Sequence, residues 1–170
     1  GAYLVLGPVS GTLDLSNADS KLYGEEEDDF AGYSVATAGD VNADGYDDLL
    51  VGALYQDAGG ADAGAAYVVL GPAQNVMDLS SADAKLVGEE EDDWAGWSVS
   101  TAGDVNGDGY DDLIMGAINQ DEGDAEAGAA YVVFGPVSGT VDLSTADAKL
   151  VGESVNDYAG YSVSTAGDVN

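Results

Sequence analysis

The chain has 170 residues, of which 33 are acidic and 3 are lysine, with no arginine, so its formal net charge at pH 7 is -30. This charge argues against nucleic acid or an anionic membrane surface as a direct partner, because phosphate recognition needs cationic side chains. The chain contains neither Cys nor His, which excludes disulfides, thiol catalysis and the commonest zinc ligands. Apolar residues make up 45% of the chain, so we expect a folded core rather than a disordered acidic tail.

A 64-residue repeat covers the whole chain. Tyr3, Tyr67 and Tyr131 are spaced by 64, as are the three lysines at positions 21, 85 and 149. Exact spacing of this kind indicates tandem structural units. The chain holds about 2.7 of them. We expect end strands of a preceding unit in 1–24, complete units in 25–88 and 89–152, and the start of a further unit in 153–170.

The pattern within a unit predicts β-strands. In chain order, 13–15 and 21–23 are expected to supply an outer segment, and 33–39 alternates small and larger residues. The runs 49–53 and 67–70 are short and continuously apolar, as in strands covered on both faces. Four short strands per unit predict an all-β fold of four-stranded antiparallel β-propeller blades, either an incomplete propeller or a segment of a longer one.

Three other architectures fit the repeat less well. A helical solenoid is disfavoured because Gly is abundant and no 3.6-residue periodicity is present. The usual repeat of a parallel β-helix is far shorter than 64 residues. An array of β-sandwiches stays open as the remaining alternative.

An acidic loop carries the clearest chemical signal. Residues 40–48 read DVNADGYDD and residues 104–112 read DVNGDGYDD. Oxygen-bearing side chains stand at positions 1, 3 and 5, a glycine at position 6 permits a sharp turn, position 7 would offer its carbonyl, and an aspartate at position 9 would close the shell. The predicted calcium ligands are Asp40, Asn42, Asp44, Tyr46 and Asp48, then Asp104, Asn106, Asp108, Tyr110 and Asp112, with Asp168 and Asn170 beginning a third set.

A solvated polar turn is the alternative interpretation of each loop. Three carboxylates gathered within about 4 Å would repel by roughly 4 kcal/mol per pair at an effective dielectric near 20. We therefore expect a bound divalent cation, and calcium rather than magnesium because the ligand set is numerous and comes entirely from the protein. A helix–loop–helix calcium site is excluded because position 12 is Val51 or Met115, not glutamate.

The residues around these loops resemble FG-GAP repeats. The phrase FAGYSV at 30–35 precedes the first acidic loop and VGA follows it at 51–53, while the second unit has WAGWSV at 94–99 and MGA at 115–117. The third unit begins the same pattern with YAGYSV at 158–163. The alanine between the aromatic residue and the glycine, and the lack of proline after GA, depart from the family pattern. The resemblance implies a propeller like that of integrin α subunits and of many bacterial and archaeal surface proteins, with structural calcium in each blade.

Each unit also carries an acidic cluster, at 25–29, 89–93 and, in depleted form, 153–157. A solvated face, a second cation site, a calcium-bridged contact and a high-salt habitat are all compatible with these clusters. Trp94, Trp97 and Tyr131 are expected to take part in blade packing rather than to bind sugar. The connectors 56–64 and 120–128 are Gly- and Ala-rich loops whose sequences do not indicate a particular ligand.

We predict no enzymatic activity, because the conspicuous aspartates are assigned to metal and no His, Cys or Arg is present. The primary hypothesis is a calcium-stabilised extracellular or cell-surface repeat protein that builds a layer, array or filament. The alternative is a secreted or surface adhesion module that binds protein or glycan through its loops. Expected partners are other copies or the remaining blades of the same protein. The repeats are expected to be part of a longer chain or to be completed between molecules.

Overall fold

The computed structural model describes residues 1–73 and 75–166 and contains three β-sheets. Its strands are β1 Ala2–Leu4, β2 Ser20–Tyr23, β3 Ser34–Gly39, β4 Asp48–Ala53, β5 Ala65–Val69, β6 Asn75–Asp78, β7 Ala84–Val87, β8 Ala95–Gly103, β9 Asp112–Ala117, β10 Ala129–Val133, β11 Gly139–Asp142 and β12 Ala148–Val151. Short 3-10 turns lie at Leu15–Asn17, Leu79–Ser81 and Leu143–Thr145. Within those described residues, no helix has the length and apolar character needed to cross a membrane.

The prediction of an all-β fold built from four-stranded antiparallel units is confirmed. The second sheet contains the antiparallel strands β3, β4, β5 and β7 in that spatial order, and the third contains β8, β9, β10 and β12. The first sheet holds β1 and β2, which correspond to the last two strands of such a unit. The predicted strands at 33–39, 49–53 and 67–70 are therefore β3, β4 and β5, each within one or two residues at its ends.

The prediction for the outer segment is correct at 21–23, which lies in β2, and wrong at 13–15. There Asp14 caps a 3-10 turn by accepting a hydrogen bond from the Ser16 amide at 2.8 Å. Asp78 and Asp142 cap the equivalent turns in the same way but also end strands β6 and β11, which pair with strands of the preceding sheet. Residues 13–15 have no such strand partner in the described part of the chain, so only the turn forms there.

The equivalents of residues 11–14 in the next two units form the strands β6 and β11, whose pairing with the preceding unit the sequence did not predict. β6 pairs in parallel with β2 of the first sheet, and β11 pairs in parallel with β7 of the second. β11 is thus a fifth strand on the outer edge of the second sheet, and β6 takes the equivalent position on the first sheet. These strands link consecutive sheets through backbone hydrogen bonds.

Two apolar clusters form the core between consecutive sheets. One is centred on Tyr67 and joins the first and second sheets, while the other is centred on Tyr131 and joins the second and third. The Nζ atoms of Lys85 and Lys149 lie 5.4 and 5.3 Å from the centroids of these two tyrosine rings. The same ammonium groups form ion pairs with glutamates of the acidic clusters, at 2.7 Å to Glu25 and 2.6 Å to Glu89.

A second line of contacts between consecutive units runs along the first strand of each unit, β3 and β8. Ser34 Oγ donates to the Gly96 carbonyl and Ser98 Oγ donates to the Gly160 carbonyl, both at 2.7 Å. Rings 64 residues apart contact each other beside these bonds, with centroid distances of 5.0 Å for Tyr33–Trp97 and 5.4 Å for Trp97–Tyr161. We call Tyr33, Trp97 and Tyr161 the aromatic ladder. It supports the prediction that Trp97 is a packing residue and shows that it packs between units.

Candidate metal centres

The first acidic loop connects β3 to β4, two adjacent antiparallel strands. The amide of Asp44 donates to Asp40 Oδ1 at 3.0 Å and to Asn42 Oδ1 at 2.9 Å. Asp40 Oδ2 accepts from the Gly45 amide at 2.9 Å, and Asp44 Oδ1 accepts from the Tyr46 amide at 2.9 Å. The side-chain oxygens of positions 1, 3 and 5 therefore turn inward over one short stretch of backbone.

The turn needs a residue at position 6 that tolerates a left-handed conformation. Gly45 has a φ of 90°, and a Cβ built there would contact nothing within 4 Å. The backbone strain, and not lack of space, is therefore the reason for glycine at this position.

The second acidic loop, between β8 and β9, repeats this arrangement. Its Asp108 amide donates to Asp104 Oδ1 at 3.0 Å and to Asn106 Oδ1 at 2.9 Å, and the Gly109 amide donates to Asp104 Oδ2 at 3.0 Å. The Tyr110 amide donates to Asp108 Oδ1 at 2.9 Å. The two loops, 64 residues apart in the sequence, thus adopt the same conformation.

The aspartates at position 9 have a different environment from the other predicted ligands. Asp48 and Asp112 are fully buried. The Asp48 carboxylate accepts from the Val41 amide at 2.9 Å and from the Gly71 amide at 2.7 Å. Burial raises the pKa of Asp48, the two amide bonds oppose that shift, and the charges of Asp44 and Asp40 add to it.

Asp112 is held in the same way by the Val105 amide at 2.8 Å and by the Gly135 amide at 2.9 Å. Position 9 therefore fixes the loop to the segment that follows the third strand of its unit. The sequence pattern predicted this aspartate only as a metal ligand and did not predict its hydrogen bonds to backbone amides. Each oxygen of a carboxylate has two lone-pair directions, so one amide bond per oxygen leaves acceptor capacity for a further partner.

The two loops contact each other, which the sequence did not predict. The amide of Asp40 donates to Asp111 Oδ2 at 2.8 Å, and the amide of Asp111 donates to the Asp40 carbonyl at 3.2 Å. Asp111 occupies position 8, where no ligand was expected. The only hint in the sequence was that both loops carry an acid at position 8 as well as at position 9.

The donor set fits a hard divalent cation, because it consists of carboxylate and amide oxygens on alternate residues. Across residues 1–73 and 75–166, no group of three or more Asp and Glu side chains converges in a geometry that could hold a metal ion. Backbone amides already bond the inward-facing side-chain oxygens, so the loop closes without a cation. Tyr46 and Tyr110 contribute their amides to the turns, and the predicted ligands Asp168 and Asn170 lie outside the described residues.

The acidic clusters are not entirely solvated. Asp29 and Asp93, the last acid of each full cluster, are buried, whereas the acids before them are mostly exposed. Positive φ angles at Asp28 and Asp92 mark tight turns that direct the following side chain inward. Asp93 Oδ2 accepts from the Glu90 amide at 3.1 Å, and burial raises the pKa of Asp93 to about 7.

The connectors between the second and third strands pack on the neighbouring unit. The carbonyls of Ala61 and Ala63 accept from the amides of Asp92 and Ala95, at 2.8 and 2.9 Å. The carbonyl of Ala127 accepts from the Ala159 amide at 2.8 Å in the same way. These loops therefore join consecutive units through their backbone.

Comparison with known proteins agrees with the resemblance found in the sequence. The family model "FG-GAP repeat" matches residues 31–69 and 95–133, which include both acidic loops. The chain is 35% identical over 155 residues to integrin alpha-7 of Homo sapiens, covering 88% of the chain and 12% of that protein. It is 32% identical over 136 residues to human integrin alpha-6, covering 78% of the chain and 11% of that protein.

A nematode relative matches a shorter stretch at higher identity. The chain is 39% identical over 88 residues to integrin alpha pat-2 of Caenorhabditis elegans, which covers 51% of the chain and 7% of that protein. The chain thus spans about a tenth of the length of these relatives.

Proposed function

The chain belongs to the integrin α-like FG-GAP repeat family, and from this we propose that it is a calcium-stabilised, extracellular structural repeat module. In this proposal residues 25–88 and 89–152 are the complete units, and calcium fixes the junction between them. The module serves as building material of a surface layer, array or filament. It carries no enzymatic activity.

The contact between the two acidic loops is the observation that carries the proposal. Asp40 is position 1 of the first loop, and its backbone exchanges hydrogen bonds with Asp111 of the second. Binding of a cation to the first loop would therefore order the backbone at Asp40, which is hydrogen-bonded to the next unit. Calcium would act on the junction between units as well as on a single hairpin.

The proposed ligands are the side chains at positions 1, 3, 5 and 9 and the carbonyl at position 7 of each loop. In the first loop these are Asp40, Asn42, Asp44, Asp48 and Tyr46, with the equivalent residues 64 positions later in the second. Asp168 and Asn170 are proposed to begin the same site in the following unit. Calcium would supply positive charge to carboxylates that otherwise repel one another.

A second candidate function is adhesion through protein or glycan recognition. The likeness to integrin α subunits supports this candidate and an extracellular location. The near-identity of the two complete units favours the structural role instead, because a ligand site usually distinguishes one unit from the others. Imaging of the native material separates the two: a continuous polymer supports assembly, and discrete particles that bind a ligand support adhesion.

The calcium proposal is tested by thermal unfolding and calorimetric titration of the chain with and without calcium. A ligand present at 100 times its dissociation constant stabilises the folded state by about 2.7 kcal/mol. We expect calcium to raise the melting temperature above its value in EGTA. Asp44→Ala and Asp108→Ala should each remove one calcium from the titration and reduce this increment.

Asp47→Ala provides the matched control. Asp47 is exposed in the same loop as Asp44 but stands at position 8, where no ligand is proposed. Its loss removes the same charge and should leave the binding stoichiometry unchanged. Equal calcium responses in the Asp44→Ala and Asp47→Ala proteins, or no response in the unaltered chain, would reject the assignment.

A further inference from the structure

The two acidic loops differ in sequence at one position. Residues 40–48 read DVNADGYDD and residues 104–112 read DVNGDGYDD, so position 4 is Ala43 in the first loop and Gly107 in the second. In both loops the residue before it is the asparagine of position 3. The second loop therefore contains an Asn-Gly step that the first loop lacks.

An asparagine that precedes glycine is prone to lose its side-chain amide group. The backbone nitrogen of the next residue gives up its proton and attacks Cγ of the asparagine, so a new C–N bond closes a succinimide ring. The bond between Cγ and the side-chain nitrogen breaks, and that nitrogen takes up a proton and leaves as ammonia. Water then opens the ring to aspartate or isoaspartate. Glycine favours the attack because it has no Cβ to shield its nitrogen or restrict its backbone.

The Asn-Gly step lies at the exposed tip of the second loop. Asn106 and Gly107 are both exposed, and a Cβ built on Gly107 would contact nothing within 4 Å. Water therefore has open access to the reacting atoms, and no neighbouring side chain shields them. The asparagines that are followed by a residue with a Cβ are Asn17, Asn42, Asn75, Asn119 and Asn156.

The closed conformation of the loop opposes this reaction. The Gly107 amide donates its hydrogen to Asp104 Oδ1 at 2.7 Å. Asp108 holds both ends of the Asn106 side-chain amide: Oδ1 accepts from the Asp108 amide and Nδ2 donates to Asp108 Oδ2, each at 2.9 Å. The attacking nitrogen thus keeps its proton, and the Asn106 side chain is not free to turn toward it. Ring closure therefore requires the loop to open.

We propose that Asn106 is a site of spontaneous deamidation, that Asn42 reacts far more slowly, and that calcium protects Asn106 by holding the second loop closed. The contrast between the two asparagines follows from the residue at position 4. The protection rests on the proposed function, in which Asp104, Asn106 and Asp108 are calcium ligands. A ligand at 100 times its dissociation constant lowers the population of the unbound loop about 100-fold. Covalent ageing is thus directed to one of two loops of equal conformation.

Peptide mapping by mass spectrometry measures the reaction. The unaltered chain is incubated at neutral pH in EGTA or in excess calcium, and the converted fraction of each asparagine is followed over time from the gain in mass. The Asp-Gly steps of both loops form the same ring by losing water and regain it on opening, so they leave the mass unchanged. We expect Asn106 to convert at least tenfold faster than Asn42 in EGTA, and calcium to slow Asn106 at least tenfold.

Exchange of position 4 between the loops provides the matched controls. Gly107→Ala gives the second loop the sequence of the first, and Ala43→Gly does the reverse. Ala43 has a φ of 58° and Gly107 a φ of 78°, so both residues already adopt this conformation, and each variant should keep the circular dichroism spectrum of the unaltered chain. We expect Gly107→Ala to slow Asn106 to the rate of Asn42. Ala43→Gly should accelerate Asn42 at least tenfold.

Equal conversion of Asn106 and Asn42 in EGTA would overturn the proposal, as would an Asn106 rate that Gly107→Ala leaves unchanged. Calcium titration of the same chain separates this inference from the proposed function. Normal calcium binding with no effect on the Asn106 rate rejects the protection and leaves the ligand assignment in place. Rapid conversion of Asn106 in both buffers without calcium binding rejects the ligand assignment and leaves the deamidation site in place.

Discussion

At the scale of single residues, the buried acids at the end of the acidic clusters have the clearest consequence. Asp93 is 3% exposed. Burial is the main cause of its raised pKa, and the charges of Glu90 and Glu89 add to it, while the Glu90 amide bond and the charge of Lys149 oppose it. The folded state therefore favours the protonated acid over a range in which the unfolded chain is ionised.

This difference predicts that stability rises as the pH falls. Between the ordinary value of 3.8 and the folded value of about 7, the folded state binds more protons than the unfolded state at this site. A difference of one proton changes the free energy of unfolding by at most about 1.4 kcal/mol per pH unit. Asp93→Asn should flatten the pH dependence of this free energy between pH 4 and 7, measured by urea unfolding in EGTA.

Asp92→Asn is the matched control for that measurement. Asp92 is the preceding acid, is exposed, and has a φ of 65°, a conformation that asparagine tolerates. Its replacement should keep the pH slope of the unaltered chain. A slope that survives in the Asp93→Asn protein would show that other carboxylates produce it.

At the scale of elements, the aromatic ladder connects the inner strands of successive sheets. Trp97 contacts Tyr33 and Tyr161, and the two indole rings of Trp94 and Trp97 are stacked at a centroid distance of 6.1 Å. Aromatic pairs contribute about 0.5–1.5 kcal/mol each beyond the area they bury. Two ladder contacts therefore predict a loss of about 1–3 kcal/mol on Trp97→Leu, measured by chemical unfolding.

Tyr46→Leu is a suitable comparison for the ladder. Tyr46 is exposed, and in the described part of the chain its ring has no aromatic contact. This replacement should change the free energy of unfolding by less than about 0.5 kcal/mol. Equal losses in the two variants would indicate that the ladder adds nothing beyond ordinary side-chain packing.

The elements also show why the sequence predicted some features and missed others. The strands β3, β4 and β5 coincide with apolar or alternating runs bounded by turn residues, so the local sequence pattern was sufficient to predict them. β6 and β11 are four residues long and pair with a strand of the preceding unit, so their partner is not adjacent in sequence. Asp40 and Asp111 are joined for the same reason by a contact between units. Local periodicity carries no information about such contacts.

The metal loops illustrate the same limit. The positions of Asp40, Asn42 and Asp44 predicted a turn with inward oxygens, and the structure contains that turn. Their metal-binding role stays a prediction. The contact of Asp48 with Gly71 depends on a segment 23 residues away and was not visible in the loop pattern.

At the scale of the whole molecule, charge opposes folding and assembly alike. The 33 acidic residues and three lysines of this 170-residue chain leave a net charge of -30, which makes self-repulsion long-ranged at low salt. The Debye length is about 30 Å at 0.01 M ionic strength and about 3 Å at 1 M. Simple salt should therefore stabilise this chain by screening, independently of any calcium site.

We expect the melting temperature in EGTA to rise steadily as NaCl increases from 0.01 to 1 M, since screening has no saturating binding site. KCl at equal ionic strength should give the same curve. Calcium, in contrast, should add a saturable increment that persists in 1 M NaCl, because ligands at short range are screened least. A melting temperature that does not change with NaCl concentration would contradict the prediction and show that repulsion between the acids does not destabilise the folded state. An increment from calcium that vanishes in 1 M NaCl would mean that calcium acts only as a screening ion.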